Sequence, residues 1–171
     1  MKRCGAKPCP TAKQFGSNPI RFRLLVIGKL PNGPLKELQA LYTVRIVSPL
    51  TIVELEERRR LPTAALKARE AHLILGALPP GACLIALDER GAAWSSRTLA
   101  DRIAAWRDRG VPELAFAIGG ADGLGSAVLD QAHATLSLGP MTWPHQLVRG
   151  MLLEQLYRAQ QILAGHPYHR E

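Results

Sequence analysis

Side chains that can transfer protons or bind anions are concentrated in the last third of this sequence. The group consists of His145, Arg149, Tyr168, His169 and Arg170. Imidazole and phenol groups exchange protons, and a guanidinium binds phosphate through two parallel hydrogen bonds. Chain ends are often frayed and without function, and the residue types alone leave that alternative open for residues 166–171. Catalytic chemistry is therefore sought in this part of the chain.

Two turns rich in glycine or proline accompany these side chains. The first, Gly119-Gly-Ala-Asp-Gly-Leu-Gly125, follows the apolar run 114–118, which is short enough to be a buried strand. Glycines accept positive φ and let another group approach the main chain, so this turn can hold a ligand with backbone N–H groups. An ordinary strand-to-helix turn is the alternative. The second turn covers 138–143 and is followed by Pro144, which fits the first position of a helix.

A long helix is predicted from His145 to Ala164, because apolar residues recur there at every third or fourth position. The apolar positions are Val148, Leu152, Leu156, Ala159 and Leu163. His145 and Arg149 project from the same side of the first turn, at a helix end that favours an anion. Glu154 and Arg158 have the same spacing and are interpreted as a solvated ion pair.

The remaining segments alternate between strands and helices. Predicted strands cover 21–27, 44–47, 83–88, 114–118 and 134–138, and predicted helices cover 34–42, 62–78, 124–133 and a segment capped by Ser95 or Ser96. A turn at Gly91 is expected after the third strand. This alternation predicts an α/β fold with a parallel sheet covered on both faces. Periodicity by itself favours an open sheet without a knot.

Composition favours a soluble globular protein with an anionic partner. The 171 residues suit one domain, and 47% are hydrophobic and 21% charged. The formal net charge of +8 favours RNA as the partner. No apolar run approaches the roughly 20 residues of a membrane span, so no membrane is expected as a partner. DNA is not expected as a partner either.

Residues 1–20 are predicted to be a disordered basic leader, and residues 21–171 the folded domain. The leader has no apolar segment of the kind that secretory signals carry. Three cysteines without such a signal indicate reduced thiols, a cytoplasmic location and no metal site.

A charged run at 54–60 leads into the second predicted helix and is interpreted as a solvated helix face. The alternative is an RNA-facing surface. Its residues are Arg58, Arg59, Arg60, Lys67 and Arg69.

Four motifs in order resemble the ribosomal RNA large-subunit methyltransferase H family. They are Gly119-Gly-Ala-Asp-Gly-Leu124, Thr142-Trp-Pro-His-Gln-Leu-Val-Arg149, Glu154-Gln-Leu-Tyr-Arg-Ala159 and Gly165-His-Pro-Tyr-His-Arg-Glu171. The resemblance is close from about Leu84 onwards and loose before it. It implies a SPOUT-type parallel sheet flanked by helices, a C-terminal trefoil knot and a homodimer. It also implies methyl transfer from S-adenosylmethionine to N3 of a pseudouridine in helix 69 of 23S rRNA.

The resemblance assigns a role to each part of the site. Residues implied in cofactor binding are Leu87, Gly119, Gly120, Leu138, Gly139, Pro140, Met141, Thr142 and Trp143. Tyr168, His169 and Arg170 are expected to handle the target base, and His145 and Arg149 to position it or the flanking phosphates. Which of these groups takes the N3 proton stays open.

Two departures from the family pattern concern the first turn and the region after the first strand. Ala121 and Asp122 stand where the family has proline and glutamate, so the turn is expected to be slightly looser and the carboxylate to reach less far. The region after the first strand is shorter than in the family. A dinucleotide-dependent oxidoreductase is the rival enzyme class, but the expected early Gly-x-Gly-x-x-Gly is absent. A non-catalytic ribosome-binding protein is the third possibility.

Overall fold

The computed structural model describes residues 20–168, which form a five-stranded sheet with helices on both faces. The strands are β1 (Arg21–Ile27), β2 (Leu50–Leu55), β3 (Cys83–Ala93), β4 (Glu113–Ile118) and β5 (Ala134–Ser137), and the helices are α1 (Pro34–Thr43), α2 (Thr63–Gly76), α3 (Ser96–Asp108), α4 (Ser126–Gln131) and α5 (His145–Leu163). Residues 1–19 of the predicted leader lie outside the described residues, as do residues 169–171. Ile20, predicted to be the last leader residue, is buried in the core.

The sheet is parallel throughout, with the strand order β2-β1-β4-β3-β5. The central strand β4 is buried along its whole length, as expected of a parallel strand that is covered on both faces. On one face, Phe22 and Phe116 pack with Leu152 and Leu156 of α5. The prediction of a parallel α/β sheet covered on both faces is therefore confirmed.

The opposite face of the sheet is covered by α2 and α4. Ile74 of α2 and Val128 of α4 pack there against Leu25, Leu84 and Ala117. The two hydrophobic clusters on either side of β1 and β4 hold the carboxyl ends of the strands, and the loops that follow them, in fixed positions.

The prediction of a second strand at 44–47 is wrong. The strand that pairs with β1 is β2, in a register that begins with Phe22 opposite Leu50. Val44 and Val47 are 82% and 87% exposed, and the N–H of Ile46 donates back to the carbonyl of Tyr42 as the chain leaves α1. Val44, Ile46 and Val47 are β-branched and therefore resemble a strand in sequence, but only Ile46 is buried in the core.

The interpretation of 54–60 as a helix face is also wrong. Glu54 belongs to β2, and α2 begins only at Thr63. The arginines at 58–60 therefore lie on a loop at the carboxyl end of the sheet. Helix α2 also ends earlier than predicted, at Gly76.

The third strand continues past the predicted turn at Gly91 and ends at Ala93. Its pairing with β5 shifts register between Leu87 and Ala92. A Cβ at Gly91 would lie 2.8 Å from the carbonyl carbon of Thr135, so glycine is required by close strand contact. The register shift places residues 88–91 at the edge of the sheet where the candidate site lies.

Several predicted helix ends are corrected by one or two residues. Pro144 is the N-cap of α5 and not its first helical residue, and Leu163 is 40% exposed although it was predicted to face the core. The predicted cap of α3 is confirmed at Ser95, whose side chain accepts a hydrogen bond from the N–H of Thr98. Within residues 20–168, no helix has the length and apolar character needed to cross a membrane.

Candidate active site

A cavity of about 760 Å³ lies at the carboxyl ends of β3, β4 and β5. In open α/β sheets, ligands bind in the crevice outside this edge. Three chain segments form most of its lining, namely 87–90 from β3, 118–124 from the end of β4 onwards, and 136–148 around the turn that leads into α5, and Lys67 of α2 adds to it. The topology therefore joins parts of the chain that are far apart in sequence.

The residues predicted to bind a cofactor are brought together at this cavity, with one exception. Those that line it are Leu87, Gly119, Gly120, Leu138, Gly139, Met141, Thr142 and Trp143. Pro140 does not line it. Their role in binding stays a prediction, but their placement around one cavity is a feature of the structure.

The turn after β4 is closed tightly around glycine backbone. A Cβ at Gly119 would lie 2.6 Å from the carbonyl carbon of Gly123, closer than real side chains approach. Gly120 and Gly123 form an isolated antiparallel bridge, and Gly123 has a φ of 78°. Ligand binding through backbone groups requires such a surface without side chains.

A buried carboxylate lies beneath this turn. The Oε1 atom of Glu70, on α2, would be 3.2 Å from a Cβ at Gly120, so a larger residue there would displace it. Glu70 is only 9% exposed. Burial, and then the nearby charge of Asp122, raises the pKa of Glu70.

Charges of both signs line the cavity, and sequence reasoning missed most of them. They are Lys67, Asp88, Glu89, Arg90 and Asp122. The carboxylate of Asp88 accepts hydrogen bonds from Nε and Nη2 of Arg90 at 2.9 and 3.1 Å, and these bonds lower the pKa of Asp88. Such a wall suits a ligand that carries both positive and negative groups. The available signal was the change from apolar to charged residues after Leu87, where the apolar part of β3 ends.

His145, the first residue of α5, also lines the cavity. Burial, and then the positive charge of Arg149, lowers the pKa of the His145 imidazole. The neutral form, which can accept a proton, is therefore favoured near pH 7. Among the residues predicted to act on the substrate, His145 is the one that the structure places at this cavity within residues 20–168.

Arg149 points away from the cavity and into the protein. Its side chain is 0% exposed. Nη1 donates to Oε1 of Glu54 at 2.9 Å, and Nη2 donates to the carbonyls of Ile27 and Gly28 at 3.0 and 2.6 Å. In this arrangement Arg149 does not reach an external phosphate or a target base, contrary to the role that its spacing suggested.

Tyr168 lies against the outer side of α5 and does not line the cavity. Its hydroxyl donates to Oε1 of Glu154 at 3.3 Å, its ring meets the Tyr157 ring edge-on, and the Arg158 guanidinium lies 4.9 Å from its centroid. The predicted ion pair between Glu154 and Arg158 is present, but it is partly buried and not solvated as expected. Burial, with the neighbouring Tyr42 hydroxyl and the Glu154 charge, raises the pKa of Tyr168 to about 12. His169 and Arg170 lie outside the described residues.

The parallel sheet with a ligand cavity at its carboxyl edge defines an α/β enzyme fold, and comparison with known proteins identifies the class. Residues 20–169 match the family described as "Predicted SPOUT methyltransferase". The chain belongs to this family and is a methyltransferase.

Relatives at high identity carry a more specific name. The protein called ribosomal RNA large subunit methyltransferase H in Rhodospirillum centenum is 53% identical over 151 residues, which cover 88% of this chain and 99% of that protein. The protein of the same name in Rhodospirillum rubrum gives the same identity and coverage. Among solved structures, a probable methylase family protein from Haemophilus influenzae Rd KW20 superposes with a TM-score of 0.53 at 14% identity, covering 89% of this chain and 71% of that chain. That likeness concerns the fold alone.

Proposed function

We propose that this chain is a cytoplasmic S-adenosylmethionine-dependent methyltransferase of large-subunit ribosomal RNA. The finer proposal is that it methylates N3 of a pseudouridine in helix 69 of 23S rRNA. The observation that carries the proposal is the convergence of three loops on one cavity in a chain that is 53% identical to proteins named for this class of activity.

The cavity fits S-adenosylmethionine in size and in chemistry. Its volume of about 760 Å³ is in the range of small-molecule sites. Gly119 and Gly120 offer bare backbone to the adenosine, with Leu87 and the 138–143 turn as the other walls. Lys67 or Arg90 can pair with the methionine carboxylate. Asp88, Glu89 or Asp122 can pair with its ammonium group. When bound, the cofactor supplies a methyl group that is already activated on a sulfonium.

The chain itself has to orient the target base and remove its N3 proton. Fixing the reacting groups in line can supply several kcal/mol of the barrier. A base within reach of N3–H can add about 10²- to 10⁴-fold. His145 supports this role because it is at the cavity and its lowered pKa favours the neutral form. Tyr168, with a pKa raised to about 12, remains protonated near pH 7 and can donate a hydrogen bond to the base.

We further propose that the enzyme is a homodimer in which the terminal residues of one subunit, Tyr168, His169 and Arg170, reach the cavity of the other. Tyr168 lies away from the cavity of its own chain, which supports delivery to a partner subunit. Exposed Val44 and Val47 provide apolar surface for association. The trefoil knot belongs to the same proposal, with the segment after β5 threaded beneath the turn at Gly119.

Two measurements test the function. Calorimetry of the full chain with S-adenosylmethionine should detect binding, and mass spectrometry should find the methylated pseudouridine missing from rRNA of a deletion strain and restored by the wild-type gene.

His169→Ala/Arg170→Ala should bind the cofactor normally and lose turnover. RNA binding without any cofactor binding would instead favour the non-catalytic ribosome-binding protein. Normal methylation by the double variant would contradict the role of the tail.

A further inference from the structure

An ion pair between a fully buried guanidinium and a carboxylate that is 33% exposed joins three separate elements beside the cavity. Arg149 of α5 donates to Glu54 of β2, and its Nη2 donates to the carbonyls of Ile27 and Gly28 where β1 ends. Glu54 Oε1 also accepts a hydrogen bond from the N–H of Leu30 at 2.9 Å. One carboxylate and one guanidinium therefore tie α5 to the ends of two strands and to the loop after β1.

The start of α5 has no other polar anchor among the described residues. Pro144 is its N-cap and provides no side-chain hydrogen bond, although a capping side chain normally fixes this end of a helix. Arg149 lies one turn further along, on the same side as His145. The ion pair therefore replaces the missing cap in holding the first turn.

Stability alone does not account for this pair. The side chain of Arg149 is fully buried and its Nε has no hydrogen-bond partner, so the arrangement retains a desolvation penalty. Glu54 is 33% exposed, so solvent weakens its attraction for the buried guanidinium, and replacing such a pair with apolar residues is often neutral or stabilising. What an apolar pair cannot supply is a directional contact that sets the orientation of the first turn.

His145 is the functional group that this orientation controls. A Cβ at Gly28 would lie 3.8 Å from His145 Nε2 and 4.0 Å from Arg149 Nη2, so the end of β1 runs against both side chains. Gly28 has a φ of 81°, which a larger residue would adopt only with strain. The same hydrogen bonds therefore fix the backbone that packs against the imidazole.

We propose that Glu54 and Arg149 are positioning residues for methyl transfer, which hold His145 in place at the cavity by clamping the first turn of α5 to the ends of β1 and β2. This inference rests on the proposed function. It assigns Arg149 an indirect role, and it brings Glu54 into the reaction although neither residue contacts the cavity.

The first experiment compares two carboxylates that are each paired with an arginine. Glu54→Gln keeps the shape and one hydrogen-bond acceptor but removes the charge. We expect kcat to fall by about tenfold to a hundredfold, with little change in the affinity for S-adenosylmethionine, because small misplacements of a catalytic group have effects of this size. Glu113→Gln is the matched control. Glu113 is likewise paired with an arginine, Arg23, but it is more deeply buried than Glu54 and lies at the opposite edge of the sheet. Its loss should lower the melting temperature and leave kcat unchanged.

The second experiment separates positioning from stability. Glu54→Leu/Arg149→Met replaces the pair by apolar side chains and should recover a melting temperature close to that of the wild type. We expect its kcat to stay low. This variant also keeps the question answerable if Glu54→Gln does not fold. Recovery of both stability and kcat would overturn the proposal, as would equal kcat values for Glu54→Gln and Glu113→Gln.

An NMR titration of His145 gives a readout that needs neither cofactor nor RNA. Glu54→Gln leaves the Arg149 charge uncompensated and should lower the pKa of His145, whereas Arg149→Met should raise it. The other charged groups at the cavity are the same in both variants, so the difference reports the pair. They are Lys67 of α2, Asp88, Glu89 and Arg90 of β3, and Asp122 after β4. An unchanged pKa in both variants would contradict a link between the pair and His145. Absence of cofactor binding by the wild type would count against the proposed function instead.

Discussion

Two residues next to the cavity have identities that packing explains. Gly119 leaves room for the backbone of Gly123, and Gly120 leaves room for the carboxylate of Glu70. Neither glycine has a positive φ, so close approach, and not an unusual backbone conformation, is what excludes larger residues. The glycine pair is thus required by its surroundings, whatever it binds.

Gly119→Ala should damage both the turn and the site. Its Cβ would meet backbone atoms, which cannot rotate away, so we expect a loss of about 1 to 3 kcal/mol in unfolding free energy and weaker binding of S-adenosylmethionine. Urea unfolding and calorimetry measure the two effects. Gly76→Ala, at the end of α2 with open space around its Cβ, should be neutral or more stable by about 0.4 to 1 kcal/mol. Equal behaviour of the two variants would contradict this explanation.

Glu70 should make stability depend on pH. Its pKa is raised in the folded state, so the unfolded state ionises first as pH rises, and the fold loses stability as pH increases through the folded pKa. Glu70→Gln should therefore be more stable than the wild type at pH 7. The difference should disappear at a pH below the ordinary carboxyl pKa, where Glu70 is protonated in both states.

Urea unfolding of both proteins at the two pH values tests this expectation. Asp101→Asn, which removes an exposed carboxylate on α3, is the control for the loss of one negative charge. A Glu70→Gln protein that is less stable than the wild type at pH 7 would mean that the charged form of Glu70 is stabilised by its surroundings.

At the scale of the elements, α3 and α5 begin in different ways although they pack against each other. Ser95 caps α3 with a hydrogen bond of 3.0 Å from the Thr98 N–H, whereas Pro144 gives α5 no side-chain cap. The start of α3 is therefore encoded locally. The start of α5 depends on a partner from β2, which couples it to the rest of the fold.

Ser95→Ala should cost about 0.5 to 2 kcal/mol, since it leaves the first N–H groups of α3 without this acceptor. Ser95→Asp, which can still accept the bond, should retain most of the stability. Thermal or urea unfolding measures both changes. Because α3 does not carry the residues assigned to the reaction, kcat at a temperature well below unfolding should remain near the wild-type value in both variants.

At the scale of the whole molecule, positive charge is present at both edges of the sheet. The loop after β2 carries Arg58, Arg59 and Arg60 at the same edge as the cavity, with Arg58 and Arg59 paired to Glu56 and Glu57. Arg107 and Arg109 lie at the opposite edge, where α3 ends and β4 follows. Only the first group is on the side from which RNA would approach a bound cofactor.

Replacing Arg58, Arg59 and Arg60 by alanine should weaken RNA binding and its dependence on salt. Each lost phosphate contact should reduce the slope of log K against log salt concentration by about 0.7 to 0.9. Arg107→Ala/Arg109→Ala should leave the slope close to that of the wild type. Filter binding or fluorescence titration over a range of salt concentrations gives both slopes. A larger effect from the second pair would place the RNA on the α3 side.

The local parts of this structure could be predicted from the amino-acid sequence. The apolar run of β4, the periodic face of α5, the Ser95 cap and the tight glycine turn were all predictable, because each follows from the spacing of neighbouring residues. The alternation of these elements was enough to predict a parallel sheet covered on both faces. Of the nine residues that the family resemblance implied in cofactor binding, all except Pro140 line the cavity.

Tertiary structure alone decided which polar groups meet. Arg149 pairs with Glu54, which is 95 residues away in sequence, and Glu70 lies beneath Gly120. Asp88 to Arg90 lie in the cavity wall because β3 shifts register against β5. The exposed valines at 44 and 47 show the same limit, since their pattern fitted a strand while the core had no place for them. Burial and long-range pairing depend on strand register and helix packing, and neither of these can be deduced from the spacing of adjacent residues.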